Sequence, residues 1–287
     1  MPDRSMIWRC GRRDLELGRT PCIMGILNVT PDSFSDGSRY LDLELAVDRA
    51  LEMESEGASI IDIGGESTRP NAEPVGLEEE LRRVIPVIER LAGRLSVPVS
   101  IDTYKAAVAR EAVAAGAEIV NDISAFTFDP AMAGVVADSG AGAVLMHTRG
   151  GPREMQKDTE YRDIVSEVIA FLDGALARAD RAGIGRSRLV VDPGIGFGKS
   201  VSGNLEIIRR LGEFARIGRP LLIGTSRKSF IGALLDRDVD GRLMGTAATV
   251  AAAVLNGASV IRVHDVAAMR DVAAVSLAIR NGIQESQ

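Results

Sequence analysis

The sequence predicts an α/β fold, a single (β/α)₈ TIM barrel, and three observations support that prediction. Eight short runs rich in Ile and Val alternate with longer segments of helical period, and no linker rich in Pro, Gly or Ser divides the 287 residues. Most of the runs are apolar throughout, which is typical of parallel strands that are covered on both faces. Polar residues collect where the runs end, as they do in barrels that hold a site at one face.

The elements follow one another in strict alternation. Pro86 lies inside the second predicted helix and indicates a kink, because proline lacks an N–H. The predicted strands are CIMGILN (22–28), SIIDI (59–63), VPVSID (97–102), EIVND (118–122), AVLMH (143–147), LVVD (189–192), PLLIGTS (220–226) and SVIRVH (259–264). The predicted helices include 43–57, 77–93, 104–116, 161–183 and 245–257. A glycine stands where each of these helices should stop, as a left-handed cap requires: Gly57, Gly93, Gly116, Gly183 and Gly257.

Residues 1–20 precede the first strand and are expected to form a small cap or hairpin below a barrel of residues 21–287. The competing architecture is a doubly wound open sheet, which usually carries a glycine fingerprint after its first strand. Here the first strand is followed by NVTPDSFSDGS, which is not that fingerprint.

The composition is that of a soluble protein with no general attraction for nucleic acid, since the net charge is −6. No apolar run approaches the roughly 18 residues of a membrane span, and the N-terminus lacks the apolar core of a signal peptide. Cys10 and Cys22 match no metal or redox spacing and are expected to be reduced thiols. We therefore expect a cytoplasmic enzyme whose anionic ligands are held by local positive groups.

The stretch VDPGIGFGKS (191–200) resembles the end of a phosphate-binding P-loop, but the resemblance fails. The pattern requires a glycine five places before Gly198, and Pro193 stands there. Proline has no N–H to offer a phosphate. The stretch therefore does not indicate a nucleotide enzyme, and Lys199 is left without a role.

Polar side chains at the strand ends indicate one shared site, because the strands of a barrel converge on one mouth. A single Asp or Asn after a strand could be only a helix N-cap, but eight such ends in register are harder to explain that way. The ends carry Asn28, Asp62, Asp102, Asn121 with Asp122, Met146 with His147, Asp192, Ser226 to Lys228, and Arg262 with His264.

Seven motifs at these strand ends resemble the dihydropteroate synthase family, from about residue 20 to the C-terminus. They are GILNVTPDSFSDG (25–37), DIGGESTRP (62–70), SIDTYK (100–105), NDIS (121–124), DPGIGFGK (192–199), GTSRKSF (224–230) and RVHD (262–265). The family joins a hydroxymethyl-dihydropterin diphosphate to para-aminobenzoate in folate biosynthesis, with Mg²⁺ present and diphosphate released. Sulfonamide drugs mimic the aminobenzoate, and family members are typically homodimers.

The pterin presents an alternating row of hydrogen-bond donors and acceptors, which carboxylates and amides can pair with. The resemblance implies that Asp102, Asn121 and Asp192 bind it. It also implies that Lys228 contacts the pterin ring and the aminobenzoate site, and that Met146 and Gly224 border the pterin. The alternative is that the three polar residues are helix caps and that Lys228 is a solvated surface residue.

The diphosphate requires concentrated positive charge on an acidic protein. The resemblance implies that Arg69, Arg262 and His264 supply it with Thr68, since guanidinium groups bind phosphate oxygens bidentately. His264 lies two residues after Arg262, on the same face of a strand, although a packed core histidine is the alternative. The resemblance further implies that Asn28 is the magnesium ligand, which suits a hard cation that takes few protein ligands.

The aminobenzoate pocket implied by the resemblance is formed by Phe34, Thr68, Pro70, Phe197, Lys228 and Ser229. The reaction is substitution at the exocyclic methylene, in which Lys228, Arg262, His264 and Arg69 are the catalytic residues. The attacking arylamine is mostly unprotonated at neutral pH, so no strong general base is required. Loops 29–39 and 64–76 are expected to close over the site.

Two other functions remain open at this point. A pterin methyltransferase barrel would share the pterin-binding residues but would not need Arg69 or the NVTPDSF loop. A non-catalytic pterin-binding protein would tolerate loss of the loop residues. Residues 125–128 (AFTF) stand where the family commonly has a glycine pair, and we assign them no role. No insertion lies near Phe34 or Pro70, so we expect a sulfonamide-sensitive enzyme.

Overall fold

The computed structural model describes residues 6–30, 39–68 and 72–282. Their strands, in chain order, are β1 (Met6–Cys10), β2 (Arg13–Leu17), β3 (Cys22–Asn28), β4 (Ile60–Gly64), β5 (Val99–Asp102), β6 (Ile119–Asp122), β7 (Gly142–Met146), β8 (Leu189–Asp192), β9 (Leu222–Ile223) and β10 (Val260–Val263). Their helices are α1 (Arg39–Ser55), α2 (Leu77–Leu91), α3 (Ala106–Ala115), α4 (Met132–Ser139), α5 (Ile164–Arg181), α6 (Val201–Arg209), α7 (Ser229–Leu235), α8 (Leu243–Leu255) and α9 (Val266–Asn281). Short 3₁₀ helices cover Arg186–Arg188, Leu211–Ile217 and Asp240–Arg242.

Strands β3 to β10 form the predicted barrel. They pair in the order β8-β7-β6-β5-β4-β3-β10-β9, and each pair is parallel. The circle is completed by a parallel bridge between Val191 and Leu221, with the Val191 N–H donating to the Pro220 carbonyl at 3.0 Å. The (β/α)₈ prediction is confirmed.

Strand β9 is much shorter than the predicted 220–226. Pro220 has no N–H to donate, and the chain leaves the sheet after Ile223 to reach Arg227, which has a positive φ of 57°. Four helices, α4, α6, α7 and α9, were not among those predicted, three of them because they are only 7 to 9 residues long. Pro86 does not end α2, which continues to Leu91.

The five glycines predicted to end helices all have positive φ, from 76° at Gly93 to 125° at Gly116. Each lies within two residues of the end of its helix. A side chain at these positions would be strained, so the sequence fixes where the chain turns back toward the next strand.

The barrel interior has an apolar layer and a polar layer. Alternate residues of a strand point to the same side. A polar residue two positions after an inward-facing apolar residue therefore also faces inward, but lies nearer the carboxyl end of the strand. Thus Asp62 follows Ile60 and Asp192 follows Val190 on the inside of the barrel. We call the apolar layer the barrel floor, which consists of Trp8, Cys10, Leu17, Cys22, Met24, Ile60, Ile119, Val144, Val190, Leu222 and Val260. We call the polar carboxyl ends of the strands the barrel mouth.

The antiparallel hairpin β1–β2, within the segment predicted as a cap or hairpin, supplies part of the barrel floor. Trp8 is fully buried, and its Nε1 donates to the Arg188 carbonyl at 3.0 Å. At Gly142 a Cβ would lie 3.0 Å from the Arg9 carbonyl oxygen, so glycine permits the hairpin to pack closely. The hairpin therefore closes the end of the barrel opposite the mouth. The domain boundary at residue 20 stays a prediction.

None of the helices in these three described ranges is long and apolar enough to cross a membrane.

Candidate active site

Four side chains from four strands meet at the barrel mouth, of which three are buried and that of Arg262 is half-buried. Arg262 of β10 donates from Nε to Asp62 Oδ2 at 2.6 Å and from Nη2 to Asp102 Oδ2 at 2.6 Å. Asn121 of β6 donates from Nδ2 to the same Asp62 Oδ2 at 3.1 Å. In the described part of the chain, Oδ1 of Asp62 and Oδ1 of Asp102 are buried without a hydrogen-bond partner. Unpaired buried acceptors are costly, and a ligand with an N–H group at the mouth would satisfy the free oxygen of Asp102.

The charges in this cluster strongly perturb one another. Burial raises the pKa of Asp102 to about 7. The positive charge of Arg262 opposes this shift, and the negative charge of Asp62 adds to it. Burial alone would lower the pKa of Arg262, but Asp62 and Asp102 more than offset it and raise that pKa above its usual value. Arg262 therefore stays charged, while Asp102 changes its charge near neutral pH.

Asp192 lies at the end of β8, directly opposite Met146 on the neighbouring strand β7. Its Oδ1 accepts a hydrogen bond from the Gly194 N–H at 2.7 Å. A Cβ at Gly194 would lie 1.9 Å from the His147 carbonyl oxygen, and φ there is 69°, so only glycine fits this turn. Burial raises the pKa of Asp192, an effect that Lys228 opposes.

Lys228 extends from the start of α7 toward the loop after β8. Its Nζ donates to the Ile195 carbonyl and lies 4.6 Å from the centre of the Phe197 ring. Gly196 has φ of 83°, and a Cβ there would meet the Lys228 side chain at 2.9 Å. Burial lowers the pKa of Lys228 to about 8, although Asp192 opposes the shift. The ammonium group therefore lies over an aromatic ring and within the electrostatic influence of a carboxylate.

His264 lies just beyond the end of β10 and is held by Ser226. The Ser226 Oγ is 2.9 Å from His264 Nδ1 and accepts from the His264 N–H at 3.2 Å. Arg262, by contrast, is directed into the barrel at Asp62 and Asp102. The expected joint role of Arg262 and His264 on the diphosphate therefore stays a prediction, because the Arg262 charge is already offset by two carboxylates.

The first residues of loop 64–76 are fixed by buried charges that were not predicted from the sequence. Glu66 accepts from the Tyr104 hydroxyl at 2.7 Å and pairs with Lys105, which also pairs with Glu80. Arg83 donates from Nη1 to the Gly65 carbonyl at 2.8 Å. The charged residues of DIGGESTRP and SIDTYK were the available signal.

Thr68 is half-buried at the end of this fixed segment. Arg69 and Pro70 lie outside the described residues, as does Phe34. Of the remaining predicted residues, Ser229 is exposed at the start of α7, and Met146 is buried. A Cβ at Gly224 would lie 3.7 Å from Arg262 Cβ, so glycine leaves space beside that arginine.

Lys199 and His147 form a buried pair behind the site, and no role was predicted for either residue. Lys199 Nζ donates to the Phe197 carbonyl at 2.8 Å and lies 2.9 Å from His147 Nδ1. Burial and the neighbouring Lys199 lower the pKa of His147 to about 2, so the ring is neutral and Nδ1 can accept from the ammonium group. Burial also lowers the pKa of Lys199 well below its usual value. The pair fixes the backbone that carries Phe197.

Asn28 ends β3 at the rim of the mouth. A Cβ at the neighbouring Gly64 would lie 3.9 Å from Asn28 Oδ1 and 3.8 Å from Asp102 Oδ2, so both oxygens face the same space. Within residues 6–30, 39–68 and 72–282, no group of three or more His, Cys, Asp or Glu side chains could hold a metal ion by itself. A cation here would need oxygens from a ligand as well, and one neutral amide oxygen fits magnesium bound chiefly by phosphate and water.

Comparisons with known proteins agree with this geometry. A model of the pterin-binding enzyme family matches residues 24–264. The dihydropteroate synthase of Synechocystis sp. is 47% identical over 270 residues, which are 94% of this chain and 93% of that protein. The structure of Xanthomonas albilineans dihydropteroate synthase with 4-aminobenzoic acid has a TM-score of 0.90 and 45% identity, over 96% of this chain and 99% of that one. The Yersinia pestis dihydropteroate synthase with a sulfonamide drug complex has a TM-score of 0.90 and 42% identity, over 96% of this chain and 100% of that one.

Proposed function

We propose how this chain, which belongs to the dihydropteroate synthase family of pterin-binding enzymes, uses its site to make dihydropteroate in folate biosynthesis. The enzyme is a transferase that joins para-aminobenzoate to a hydroxymethyl-dihydropterin diphosphate. The observation that supports the residue assignments is the unpaired carboxylate oxygen Oδ1 of Asp102 at the barrel mouth. The relatives described above are dihydropteroate synthases, which favours this function over a pterin methyltransferase or a non-catalytic pterin-binding protein.

The pterin is bound by Asp102, Asn121 and Asp192. Asp102 and Asn121 stand side by side in register on β5 and β6, and Asp192 approaches from β8 on the other side of β7. Their oxygens accept from the amino and ring N–H groups of the pterin, while Met146 packs against the ring. Gly224 keeps the opposite side open next to Arg262. The buried position of these groups strengthens each hydrogen bond.

The aminobenzoate lies between Phe197 and Lys228, with Ser229, Thr68, Phe34 and Pro70 completing the pocket. Lys228 Nζ lies over the Phe197 ring, so a second ring in this space would meet both a flat apolar face and a positive charge. Sulfonamides would occupy the same pocket, and competition with aminobenzoate in steady-state kinetics tests this. Noncompetitive inhibition would contradict it.

The leaving diphosphate is held by His264, Arg69 and Thr68 at the rim of the mouth. Arg262 contributes its positive charge from inside the mouth, where it is bonded to Asp62 and Asp102. As the C–O bond between the methylene and the diphosphate breaks, these groups stabilise the departing charge. The arylamine nitrogen then forms the new C–N bond and gives its proton to water or to the diphosphate. Asn28 would hold Mg²⁺ through its amide oxygen, and the ion would neutralise part of the diphosphate charge.

Diphosphate release tests the function directly. Mixing the chain with the pterin diphosphate and aminobenzoate in the presence of Mg²⁺ should release diphosphate, and omitting aminobenzoate should prevent it. Asp192→Asn should abolish binding of the pterin diphosphate in a calorimetric titration, because a neutral amide presents an N–H to the pterin donors. Asp173→Asn, on the exposed face of α5, is the control. Unchanged affinity of Asp192→Asn would disprove the assignment.

The magnesium assignment needs a separate test. Asn28→Ala should raise the Mg²⁺ concentration that gives half-maximal activity, while the affinity for para-aminobenzoate stays the same. An unchanged magnesium requirement would place the ion elsewhere.

The chain is proposed to be a homodimer through the faces of α7, α8 and α9. Large apolar side chains are exposed there, including Met244 at 76% and Ile279 at 70% exposure. Exposed apolar surface of this kind is typical of subunit contacts. Sedimentation equilibrium should show a dimer that Met244→Glu weakens, whereas a wild-type monomer at micromolar concentration would refute the proposal.

A cytoplasmic location is also proposed. Its support is that Cys10 and Cys22 are free thiols, as is usual in a reducing compartment. Fractionation of cells that produce the chain tests it.

A further inference from the structure

Asp62 has no role in the reaction described above, although it is fully buried at the centre of the site. Its Oδ2 accepts two hydrogen bonds, from Arg262 Nε at 2.6 Å and from Asn121 Nδ2 at 3.1 Å. It lies on β4, and its partners lie on β10 and β6, so it joins strands that are not neighbours in the barrel. Burying a carboxylate seldom increases the stability of a fold, because removing the charge from water costs free energy. We therefore expect Asp62 to have a further role.

The contact with Asn121 fixes which way round the amide stands. An ionised carboxylate can only accept hydrogen bonds, so the NH₂ group of Asn121 must face Asp62. If the amide turned over, its Oδ1 would oppose Asp62 Oδ2, and a hydrogen bond would be replaced by repulsion between two acceptors. One hydrogen of Nδ2 is thus engaged by Asp62, while the second hydrogen and Oδ1 remain available to a ligand.

The order of donor and acceptor matters to a pterin. Its 2-amino group is a donor, and the adjacent ring atom N1 is an acceptor. An amide pairs with this edge in one orientation only, with its oxygen on the amino group and its N–H on N1. The reversed amide would present donor to donor and acceptor to acceptor, and sites that bind by paired hydrogen bonds reject such mismatches strongly.

Asp62 also restricts Arg262. Together with Asp102, which accepts from Nη2, it occupies two of the three nitrogens of the guanidinium group. The Arg262 side chain is therefore held in one orientation at the barrel mouth, where the pterin is proposed to bind. Both effects depend on the negative charge of Asp62.

We propose that Asp62 is a positioning residue that fixes the amide of Asn121 and the guanidinium of Arg262, and so determines the donor–acceptor order that the pterin meets. The inference rests on the proposed function of Asn121 in pterin binding. It adds a group that does not touch the substrate and acts through two groups that do.

Two probes distinguish this role from a merely structural one. They are 6-hydroxymethylpterin and its counterpart in which N1 is replaced by C–H, whose affinities are measured by calorimetry. The wild type should prefer the pterin by about 10-fold or more, since one buried hydrogen bond is lost in the counterpart. Asp62→Asn keeps the shape of residue 62 but allows either orientation of Asn121, so the preference should fall to about 2-fold.

The control is Ser100→Ala. Ser100 is also fully buried, is paired in register with Asp62, and has no hydrogen-bond partner for its Oγ within the described chain. The Ser100→Ala variant should prefer the pterin over its counterpart by the same factor as the wild type. The KM for aminobenzoate should change less than about 2-fold in both variants, because neither residue faces that pocket.

A double variant isolates the path through the amide. If Asp62 acts through Asn121, then adding Asp62→Asn to Asn121→Ala should not change the probe preference further. Should Asp62→Asn fail to fold, neutron diffraction of the wild type decides the matter, because it locates the hydrogens of the Asn121 amide. Nδ2 facing away from Asp62 would overturn the proposal.

The remaining outcomes are distinct. If the wild type binds neither probe, then the proposed function of the site fails. If the wild type discriminates and Asp62→Asn discriminates equally well, then only the present inference fails. If Asp62→Asn loses pterin affinity, aminobenzoate KM and thermal stability together, then Asp62 is structural and the inference is also wrong.

Discussion

Replacing Asp102 by Asn should stabilise the folded protein while it destroys pterin binding. Asp102 is only 8% exposed, and its Oδ1 has no hydrogen-bond partner within the described residues. Burial raises its pKa to about 7, even though Arg262 lies 2.6 Å from Oδ2. The neutral form is therefore preferred below about pH 7, and asparagine is a neutral side chain of nearly the same shape.

The size of the effect follows from the pKa. An aspartate with a pKa of 3.8 in the unfolded chain and about 7 in the folded chain costs at most about 4 kcal/mol when ionised, at about 1.4 kcal/mol per pH unit. Between these two values the folded state holds a proton that the unfolded state has lost, so the free energy of unfolding falls as pH rises. From pH 5 to pH 9 this single group should lower the stability of the wild type by about 3 kcal/mol.

The assay is urea unfolding of the wild type and Asp102→Asn at pH 5, 6, 7, 8 and 9. Other titrating groups contribute almost equally to both proteins, so the difference between their free energies of unfolding isolates Asp102. That difference should move in favour of the variant between pH 5 and 7 and then level off. A difference that does not depend on pH would refute the reasoning, because Asp102 would then titrate alike in the folded and unfolded chains.

Three further predictions concern other parts of the molecule. Trp8→Ala should lower the free energy of unfolding, measured with urea, by about 3–5 kcal/mol. Ile7→Ala changes a half-exposed neighbour and should alter that free energy by less than about 1 kcal/mol. Equal losses in the two variants would contradict the burial of Trp8 in the barrel floor. Raising the pH through about 8 should weaken pterin diphosphate binding as Lys228 loses its proton, and Lys228→Arg should abolish that step in calorimetry; a wild-type affinity that stays flat to pH 9.5 would count against it. Lys199→Met should raise the KM for aminobenzoate severalfold by releasing a loop carbonyl, with the exposed Lys157→Met as control; a rise in pterin dissociation constant alone would point to another role.

The barrel and the location of its site could be predicted because both depend on local patterns. Four strands combine an apolar residue that is buried in the barrel floor with a polar residue two positions later, as in Ile119 and Asn121. That alternation identifies the strand, its direction and the face that carries chemistry. Asp102, Asn121 and Asp192 accordingly lie at the barrel mouth where their motifs indicated.

The pairing among these residues could not be predicted, because it depends on rotamers and distances across the barrel. Nothing in the order of residues indicates that Arg262 turns toward Asp62 rather than toward the rim. Residues 125–128 show a second limit. Ala125 and Phe126 have positive φ of 51° and 66°, where glycine would be unstrained, and the turn is held by a 2.7 Å hydrogen bond from the Phe126 N–H to Asp122.

The hairpin that closes the barrel floor has a consequence for the synthesis of the chain. Residues 6–17 leave the ribosome before all of the barrel strands, yet the layer that buries Trp8 includes Val190, Leu222 and Val260. At typical translation rates the hairpin waits on the order of 10 to 50 seconds for the last of these strands. The hairpin is thus made before the barrel strands but is among the last elements to be buried. Trp8 is therefore open to chaperones and to aggregation in the nascent chain, and not in the finished enzyme.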